Sequence, residues 1–289
     1  MATYEIHELM ACRISEEMRE EGERVTVLGS FTPLAYAAYM LAKLTHAPDA
    51  WLAGYNAIGM DPIELGFSGA EAAIYKTARG RWSFTESNQL VHIGTRGMIE
   101  CVSSVQLGGD GAINLSVIGD YDRPKVRLPG GAGSPEVVQN YHTVVAYFSR
   151  HDRRTFVPRV DFATGRRTPV GAGAREKRGL LPGPVIAISP LAVLRKDTDD
   201  EPFSLASVHP GVSVEEVVDN TGFELAVPDR VPVTRAPTEP QLRVLRERID
   251  PFATARFDFL GGRERVAFLR EILTREWDRA RALVEAARS

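Results

Sequence analysis

Short apolar runs alternate with helical patterns along this 289-residue chain. Apolar positions recur at helical spacing over residues 5–21 and 33–43, which predicts two helices, the first of them amphipathic. Segments dense in Val, Ile and other apolar residues predict β-strands. These segments span residues 25–28, 51–53, 90–93, 100–106, 113–118, 143–148 and 185–189. Apolar strands that alternate with helices predict an α/β fold: an open, mainly parallel sheet covered by helices on both faces.

The second half of the chain carries further helix signals. A Ser or Thr followed three positions later by Glu or Gln, the capping-box pattern, begins helices over residues 213–220 and 238–250. A longer helix is predicted over residues 263–287, and its apolar side chains share one stripe. The stripe consists of Val266, Leu269, Leu273, Trp277, Ala280 and Val284. It either packs on its own domain or contacts a neighbouring subunit.

Composition excludes several classes of function. The 44% hydrophobic content suits one large core, and the net charge of −3 gives no attraction to nucleic acid or to an acidic membrane. There is no apolar run of 18 residues and the amino terminus is acidic, so we expect a soluble, cytoplasmic protein. The two cysteines, Cys12 and Cys101, are too few for a thiolate metal site, and the six histidines lack metal-ligand spacing. We therefore expect buried thiols and no structural metal.

A cluster of glycines is the strongest chemical signal. Gly130, Gly131 and Gly133 follow a turn-rich segment and precede a short predicted helix. Backbone amides without side chains in front of them can approach an oxyanion or a phosphate closely. The alternative is a plain turn.

Short motifs on either side of the glycine cluster occur in a recognisable order. They are Thr-His-Ala-Pro-Asp from Thr45, Ile-Gly-Asp-Tyr from Ile118, His-Asp-Arg-Arg-Thr-Phe from His151, His-Pro-Gly-Val from His209, Asp-Asn-Thr-Gly-Phe from Asp219 and Ile-Asp-Pro from Ile249. Together they resemble the beta-type subunit of the class I coenzyme A transferase superfamily, and most closely the glutaconate CoA-transferase branch. The resemblance ends near residue 251, so we expect a CoA-transferase-like domain over residues 1–251 and a helical extension over residues 252–289.

The resemblance implies an enzyme subunit that acts on an acyl-CoA thioester. Coenzyme A would enter as part of the substrate, with no separate cofactor. It also implies a heteromer with an alpha-type subunit, often two copies of each chain. If that partner carries a catalytic carboxylate of its own, the active site lies at the interface and Tyr55 is a supporting residue.

One position departs from the family pattern. In transferases of this family the strand after the Ala-Pro-Asp segment ends in a nucleophilic glutamate, and here the corresponding residue is Tyr55. A phenol, with a reference pKa of about 10, is a hydrogen-bond donor at neutral pH rather than a ready nucleophile. Two other carboxylates are near: Glu64, nine residues downstream, and Asp61, which with Pro62 reads as the opening of a helix. The resemblance therefore favours an enzyme altered towards carbon–carbon bond hydrolysis or decarboxylation.

These residues define a candidate site where parallel strands end. Tyr55 would donate a hydrogen bond or proton, Asn56 would orient the substrate, and the amides around Gly131 and Gly133 would stabilise negative charge on the thioester oxygen. Gly130 belongs to the same loop.

Other polar residues are weaker candidates. Gln106 and Asn114 match family positions, where they either bind substrate or satisfy turn amides. Glu86 and His92 either act as an acid or base or have only a surface or core role. In the loop over residues 165–184, the basic cluster Arg175, Lys177 and Arg178 either contacts CoA phosphates or is a solvated face.

Three functions remain open: a carbon–carbon hydrolase or decarboxylase subunit, a true CoA transferase whose nucleophile lies elsewhere, and a noncatalytic scaffold subunit.

Overall fold

A computed structural model describes residues 3–18, 25–27, 32–54, 57–67, 76–83, 85–86, 98–171, 173–181 and 183–288. Its helices are α1 (Ile6–Ser15), α2 (Pro33–Leu44), α3 (Ser134–Asn140), α4 (Val214–Asn220), α5 (Glu239–Val244) and α6 (Gly262–Ala286). Its strands are β1 (Val25–Val27), β2 (Trp51–Gly54), β3 (Ala57–Ile58), β4 (Gly80–Arg81), β5 (Met98–Ser103), β6 (Gln106–Gly108), β7 (Ile113–Asn114), β8 (Val117–Gly119), β9 (Pro124–Arg127), β10 (Thr143–Tyr147), β11 (Phe156–Val157), β12 (Val185–Ile188), β13 (Ala192–Lys196), β14 (Phe203–Val208) and β15 (Leu225–Ala226).

Ten strands form one sheet in the order β15-β14-β13-β12-β10-β5-β1-β2-β3-β4. The central strands β12, β10, β5, β1 and β2 are parallel to one another. Antiparallel pairings flank this centre, through β13 and β14 on one side and β3 and β4 on the other. The predicted α/β fold is confirmed, with the parallel strands concentrated in the middle of the sheet.

Helices cover both faces of the sheet because the central strands are apolar on both. In β10, Val145 and Tyr147 pack into the cluster that contains α1 and α2. Val144 and Ala146 point the other way, into the cluster that contains α3 and Val217 of α4. This alternation places one core on each side of a buried parallel sheet.

The predicted strand over residues 113–118 is wrong in one respect, because it is divided into β7 and β8. These two short strands belong to different small sheets, β11-β6-β7 and β8-β9. The Asn114 side chain causes the break: its Oδ1 accepts the amides of Ser116 at 3.0 Å and of Val117 at 3.3 Å. Such a side-chain turn replaces the strand pairing at this point.

Two other predictions differ from the structure, and a third falls outside the described residues. Helix α1 ends at Ser15 rather than at residue 21, and residues 19–24 lie outside the described ranges. Residues 61–66 are not helical, so the helix opening predicted at Asp61 and Pro62 is wrong there. The Leu65 amide instead donates to the Ile249 carbonyl at 2.6 Å, which ties the segment to the end of the helical turn over Leu245–Ile249. The strand predicted over residues 90–93 lies outside the described ranges.

The helix signals of the second half are confirmed. The hydroxyl of Ser213 accepts the Glu216 amide at 3.1 Å, and the capping box of Thr238 and Gln241 is formed at the start of α5. A π-helical segment, Leu245–Ile249, continues α5, and α6 follows the pattern predicted for the last helix. No helix in the described ranges has the length and apolar content to span a membrane.

Candidate active site

The carboxyl ends of the parallel strands define the edge where a site is expected. Strand β5 ends at Ser103 and leads directly into β6 of the small sheet, so the polypeptide that carries the glycine loop begins at this edge. Strand β2 ends at Gly54 on the same edge, two places along the sheet. Tyr55 and Asn56 follow β2 immediately, and both lie outside the described residues.

The glycine loop has a backbone that ordinary side chains disfavour. Gly130 has a φ of +97°, in the left-handed region, and Ala132 has a φ of +44°. The Gly130 amide donates to the Leu115 carbonyl at 2.9 Å, which fixes the loop to the turn after β7. Gly130 therefore contributes its backbone shape, because its amide already has an acceptor.

The next three amides of the loop remain available. The amides of Gly131, Ala132 and Gly133 donate no hydrogen bond to any residue that the structure describes. Ser134, one residue later, is already bonded to the Gly131 carbonyl at 2.7 Å. Successive free amides around a left-handed residue form a concave site suited to an anion. The predicted oxyanion-binding role is chemically consistent with this geometry.

Close packing explains why residue 131 is glycine. A Cβ built at this position would lie 2.4 Å from Cγ2 of Thr164. Thr164 is buried and cannot easily move, because its Oγ1 accepts the Leu115 amide at 2.9 Å and lies 2.8 Å from the Ser116 hydroxyl. The loop thus rests directly on a fixed threonine.

Gln106 and Asn114 form a buried scaffold beneath this loop. The Asn114 Nδ2 donates to Gln106 Oε1 at 2.7 Å and to the Val117 carbonyl at 2.7 Å. The same Gln106 oxygen also accepts the Asp161 amide at 3.0 Å. These internal bonds correspond to the turn-satisfying role, and they brace the turn after β7 to which the Gly130 amide is bonded.

The weaker candidates have local partners or lie outside the described ranges. Glu86 is exposed and accepts the Ser83 amide at 2.6 Å, while His92 lies outside those ranges. Glu64 contacts Arg279 of α6. Each of these two described carboxylates has a structural partner.

The predicted basic cluster in the loop over residues 165–184 is wrong for Arg175, because this residue is buried. Its guanidinium is buried and donates to carbonyl oxygens of its own chain, including that of Gln139 at 2.5 Å and that of Leu181 at 3.1 Å. Of the three cations, only Lys177 and Arg178 are exposed. The sequence spacing places three cations close together, but tertiary packing buries Arg175 and leaves the other two exposed.

Two carboxyl groups near the sheet, one partly buried and one fully buried, were missed from the sequence. Asp258, in the extension, accepts a hydrogen bond from the Tyr147 hydroxyl at 3.1 Å, at the carboxyl end of β10. Burial raises the pKa of Asp258 to about 6. Glu100 lies inside β5, where burial raises its pKa to about 8. No local motif marks either residue, because only the assembled sheet encloses them.

The two histidine motifs meet at Ser189, at the end of β12. His151 Nδ1 lies 2.7 Å from the Ser189 hydroxyl, and His209 Nε2 donates to the Ser189 carbonyl at 2.8 Å. The remaining ring nitrogens contact the hydroxyls of Thr221 at 3.1 Å and Thr234 at 2.9 Å. Burial lowers the pKa of each imidazole to about 4. Both histidines therefore join segments of the fold as neutral groups.

The Asp-Asn-Thr-Gly-Phe motif joins the same region through Gly222. The Gly222 amide donates to the Phe156 carbonyl at 2.8 Å, and a Cβ on residue 222 would lie 2.3 Å from that oxygen. We expect Gly222→Ala to lower the free energy of unfolding by about 3 kcal/mol, since a backbone atom cannot retreat as a side chain can. Urea unfolding checks this.

The control for Gly222→Ala is Gly261→Ala. At Gly261 the nearest heavy atom to an added Cβ is Arg150 Nη2, at 3.9 Å. This substitution should leave the unfolding midpoint nearly unchanged. Equal midpoints for both variants would contradict the proposed backbone contact.

The residues that the structure describes include no group of three or more His, Cys, Asp or Glu side chains suited to a metal ion. Both cysteines, Cys12 and Cys101, are buried free thiols.

Comparison with known proteins places this site in a family. The model of the family described as coenzyme A transferase matches residues 12–220. The B-type chain of the 3-oxoadipate CoA-transferase of Pseudomonas knackmussii is 32% identical over 248 residues, which cover 85% of this chain and 94% of that protein. The chain belongs to the coenzyme A transferase family.

Two further relatives of this CoA-transferase family member differ in the chemistry that their names give. The B-type chain of glutaconate CoA-transferase from Acidaminococcus fermentans is 30% identical over 86% of this chain and 93% of its own length. The IpdB subunit of the cholesterol ring-cleaving hydrolase of Rhodococcus jostii is 30% identical over 73% of this chain and 79% of its own length. A crystal structure of the R. jostii IpdAB complex superposes with a TM-score of 0.72 at 25% identity, covering 90% of this chain and 100% of that one. The family thus includes B-type subunits of both transferases and a hydrolase.

Proposed function

We propose that this chain is the beta-type subunit of a heteromeric enzyme that acts on an acyl-CoA thioester by carbon–carbon bond hydrolysis or decarboxylation rather than by CoA transfer. The thioester-binding part of the proposal rests on the row of three free amides, Gly131 to Gly133, and the preference over CoA transfer rests on the tyrosine at residue 55. Amides preorganised in this way stabilise an enolate or a tetrahedral oxyanion at a thioester carbonyl. The partner is an alpha-type subunit, and coenzyme A enters as part of the substrate.

Tyr55 distinguishes this proposal from CoA transfer. A transferase needs a carboxylate that attacks the thioester and then carries CoA, and a phenol does not form that anhydride readily. In our proposal Tyr55 donates a hydrogen bond or proton to the substrate, and Asn56 orients it. The amides of the glycine loop act in either reaction, so only residue 55 separates the two.

Genuine CoA transfer is the second candidate. Identities of 32% and 30% to the B-type chains of two transferases favour it. The nucleophile would then come from the partner subunit or from another carboxylate of this chain. A third role, that of a noncatalytic scaffold subunit, has no observation in its favour.

Isotope exchange separates these reactions. The assembled complex is incubated with an acyl-CoA and its isotopically labelled free acid, and the label that enters the acyl-CoA pool is measured. We expect no exchange and no glutamyl thioester trapped by hydroxylamine, but cleavage or decarboxylation of the acyl group. Exchange together with trapping would replace this proposal with CoA transfer.

Residue 55 gives a direct genetic test. Tyr55→Phe should lower the turnover number by about 100-fold, since it removes the proposed donor. Tyr55→Glu should abolish the carbon–carbon chemistry and gain measurable CoA exchange if the position corresponds to the family nucleophile. Tyr121→Phe, at a tyrosine that is 53% exposed, is the matched control and should leave turnover unchanged.

A further inference from the structure

Helix α6 is attached to the domain along one side only. Over its 25 residues, Ile272 is the one buried side chain. The Glu276 carboxylate accepts the Phe67 amide at 2.5 Å, and the guanidiniums of Arg265 and Arg275 lie over the rings of Phe257 and Phe252. These contacts fix the direction of the helix but leave most of its surface in solvent.

A second face of α6 is apolar and exposed. Val266, Leu273, Trp277 and Val284 fall within an arc of about 40° when each residue turns the helix by 100°. Trp277 is 62% exposed, Val284 is 51% exposed and Val266 is 50% exposed. We call Val266, Leu273, Trp277 and Val284 the α6 stripe. A contiguous apolar face on a solvent-exposed helix marks a surface that another molecule covers.

One edge of the α6 stripe is basic. At 100° per residue, four arginines lie about 40–60° from the centre of the stripe, all on the same side. They are Arg263, Arg270, Arg281 and Arg288. All four are exposed, and none forms a salt bridge with a residue that the structure describes. The Arg281 guanidinium lies 5.6 Å from the centre of the Trp277 ring, so the basic edge and the apolar stripe are continuous.

This charge pattern argues against a second copy of the chain as the covering molecule. In an antiparallel pair of α6 helices the arginine edges would face each other and repel. In a parallel pair the arginines would face the opposite edge of the stripe, where Glu276 is the nearest carboxylate and already accepts the Phe67 amide. The pattern instead matches a different chain with an apolar groove and carboxylates along its rim.

We infer that the α6 stripe docks into an apolar, acid-rimmed groove of the partner subunit of the heteromer. A helix laid into such a groove is a common recognition mode, with anchors at positions separated by three, four and seven residues. This inference rests on the proposed function in one respect, because it takes from it the existence of the partner subunit. It adds the surface that holds the partner, which lies in the extension beyond the matched residues 12–220.

The test uses the full chain and the purified alpha-type subunit encoded with it. The docking variant is Leu273→Glu with Trp277→Glu, and the matched control is Ala267→Glu with Ala282→Glu, at exposed positions of the same helix away from the stripe. We expect the docking variant to raise the dissociation constant for the partner by about 100-fold, because buried Trp anchors dominate interfaces. The control should stay within about threefold of wild type. Circular dichroism and thermal unfolding of the isolated chain should match for all forms, since every changed residue is exposed.

Charge reversal tests the basic edge separately. Arg270→Glu with Arg281→Glu should weaken partner binding by about tenfold and reduce its dependence on salt. Unchanged partner affinity in the docking variant would overturn the inference. So would dimers of the isolated chain that the docking variant abolishes, or binding of the isolated chain to vesicles of anionic lipid through the stripe. A complex that assembles as expected yet shows no acyl-CoA chemistry would reject the proposed function and leave this inference intact.

Discussion

Gly131→Ala is expected to lower the turnover number of the assembled enzyme by about 100-fold, the usual cost of losing one oxyanion donor. The new methyl group would lie 2.4 Å from Thr164 Cγ2, so the loop must move. Thr164 is held by the Leu115 amide and the Ser116 hydroxyl, and it does not yield instead. The free amides would then leave the positions from which they hold the thioester oxygen. Steady-state kinetics on the best acyl-CoA substrate measures the effect.

Gly261→Ala provides the control, because it lies away from the loop. The nearest heavy atom to an added Cβ at residue 261 is Arg150 Nη2, at 3.9 Å, and the φ of −136° is ordinary for alanine. This variant should keep turnover within about threefold of wild type, since the amides of the loop are untouched. If Gly131→Ala also keeps turnover within that range, the glycine loop is a plain turn and the proposed oxyanion role is wrong.

Acid should destabilise the protein through His151 and His209. In the folded chain burial lowers both pKa values to about 4, whereas an unfolded chain titrates near the ordinary imidazole pKa of 6.5. Between pH 6.5 and 4 the unfolded state therefore binds more protons, and stability is lost as the pH falls through this window. Each histidine should account for about 3 kcal/mol of that loss.

Urea unfolding at pH 7.5, 5.5 and 4.0 measures this loss. His151→Gln and His209→Gln should each be less stable than wild type at pH 7.5, because they lose buried hydrogen bonds. Each variant should also show a shallower fall in stability towards pH 4. Curves parallel to wild type over the whole range would show that these imidazoles do not control acid unfolding.

The α/β fold class could be predicted from the sequence, whereas the order of the strands in the sheet could be read only from the tertiary structure. The apolar runs over residues 143–148 and 185–189 form β10 and β12. Strands in the middle of a parallel sheet are buried on both faces, so continuous apolar sequence predicts them. The run over residues 113–118 has the same character, yet it breaks where the Asn114 side chain binds two amides of its own turn. A pattern of hydrophobicity carries no information on such a side-chain competitor.

The candidate site shows the same division. The glycine cluster was visible in the sequence, and the structure added which amides remain free: Gly130 is already bonded, while Gly131 to Gly133 are not. Asp258 reaches the end of β10 from more than one hundred residues away along the chain. Such a contact depends on long-range packing and has no local signature.

The sequence by itself determined most of the helices, the central strands and the family, because periodicity, capping residues and ordered motifs are local properties. Only the tertiary structure decided that Arg175 is buried and bonded within the chain, and that the α6 stripe faces solvent. Burial depends on which distant surfaces meet when the chain folds. The spacing of residues along one helix or loop can present a face, but it does not say what lies opposite that face.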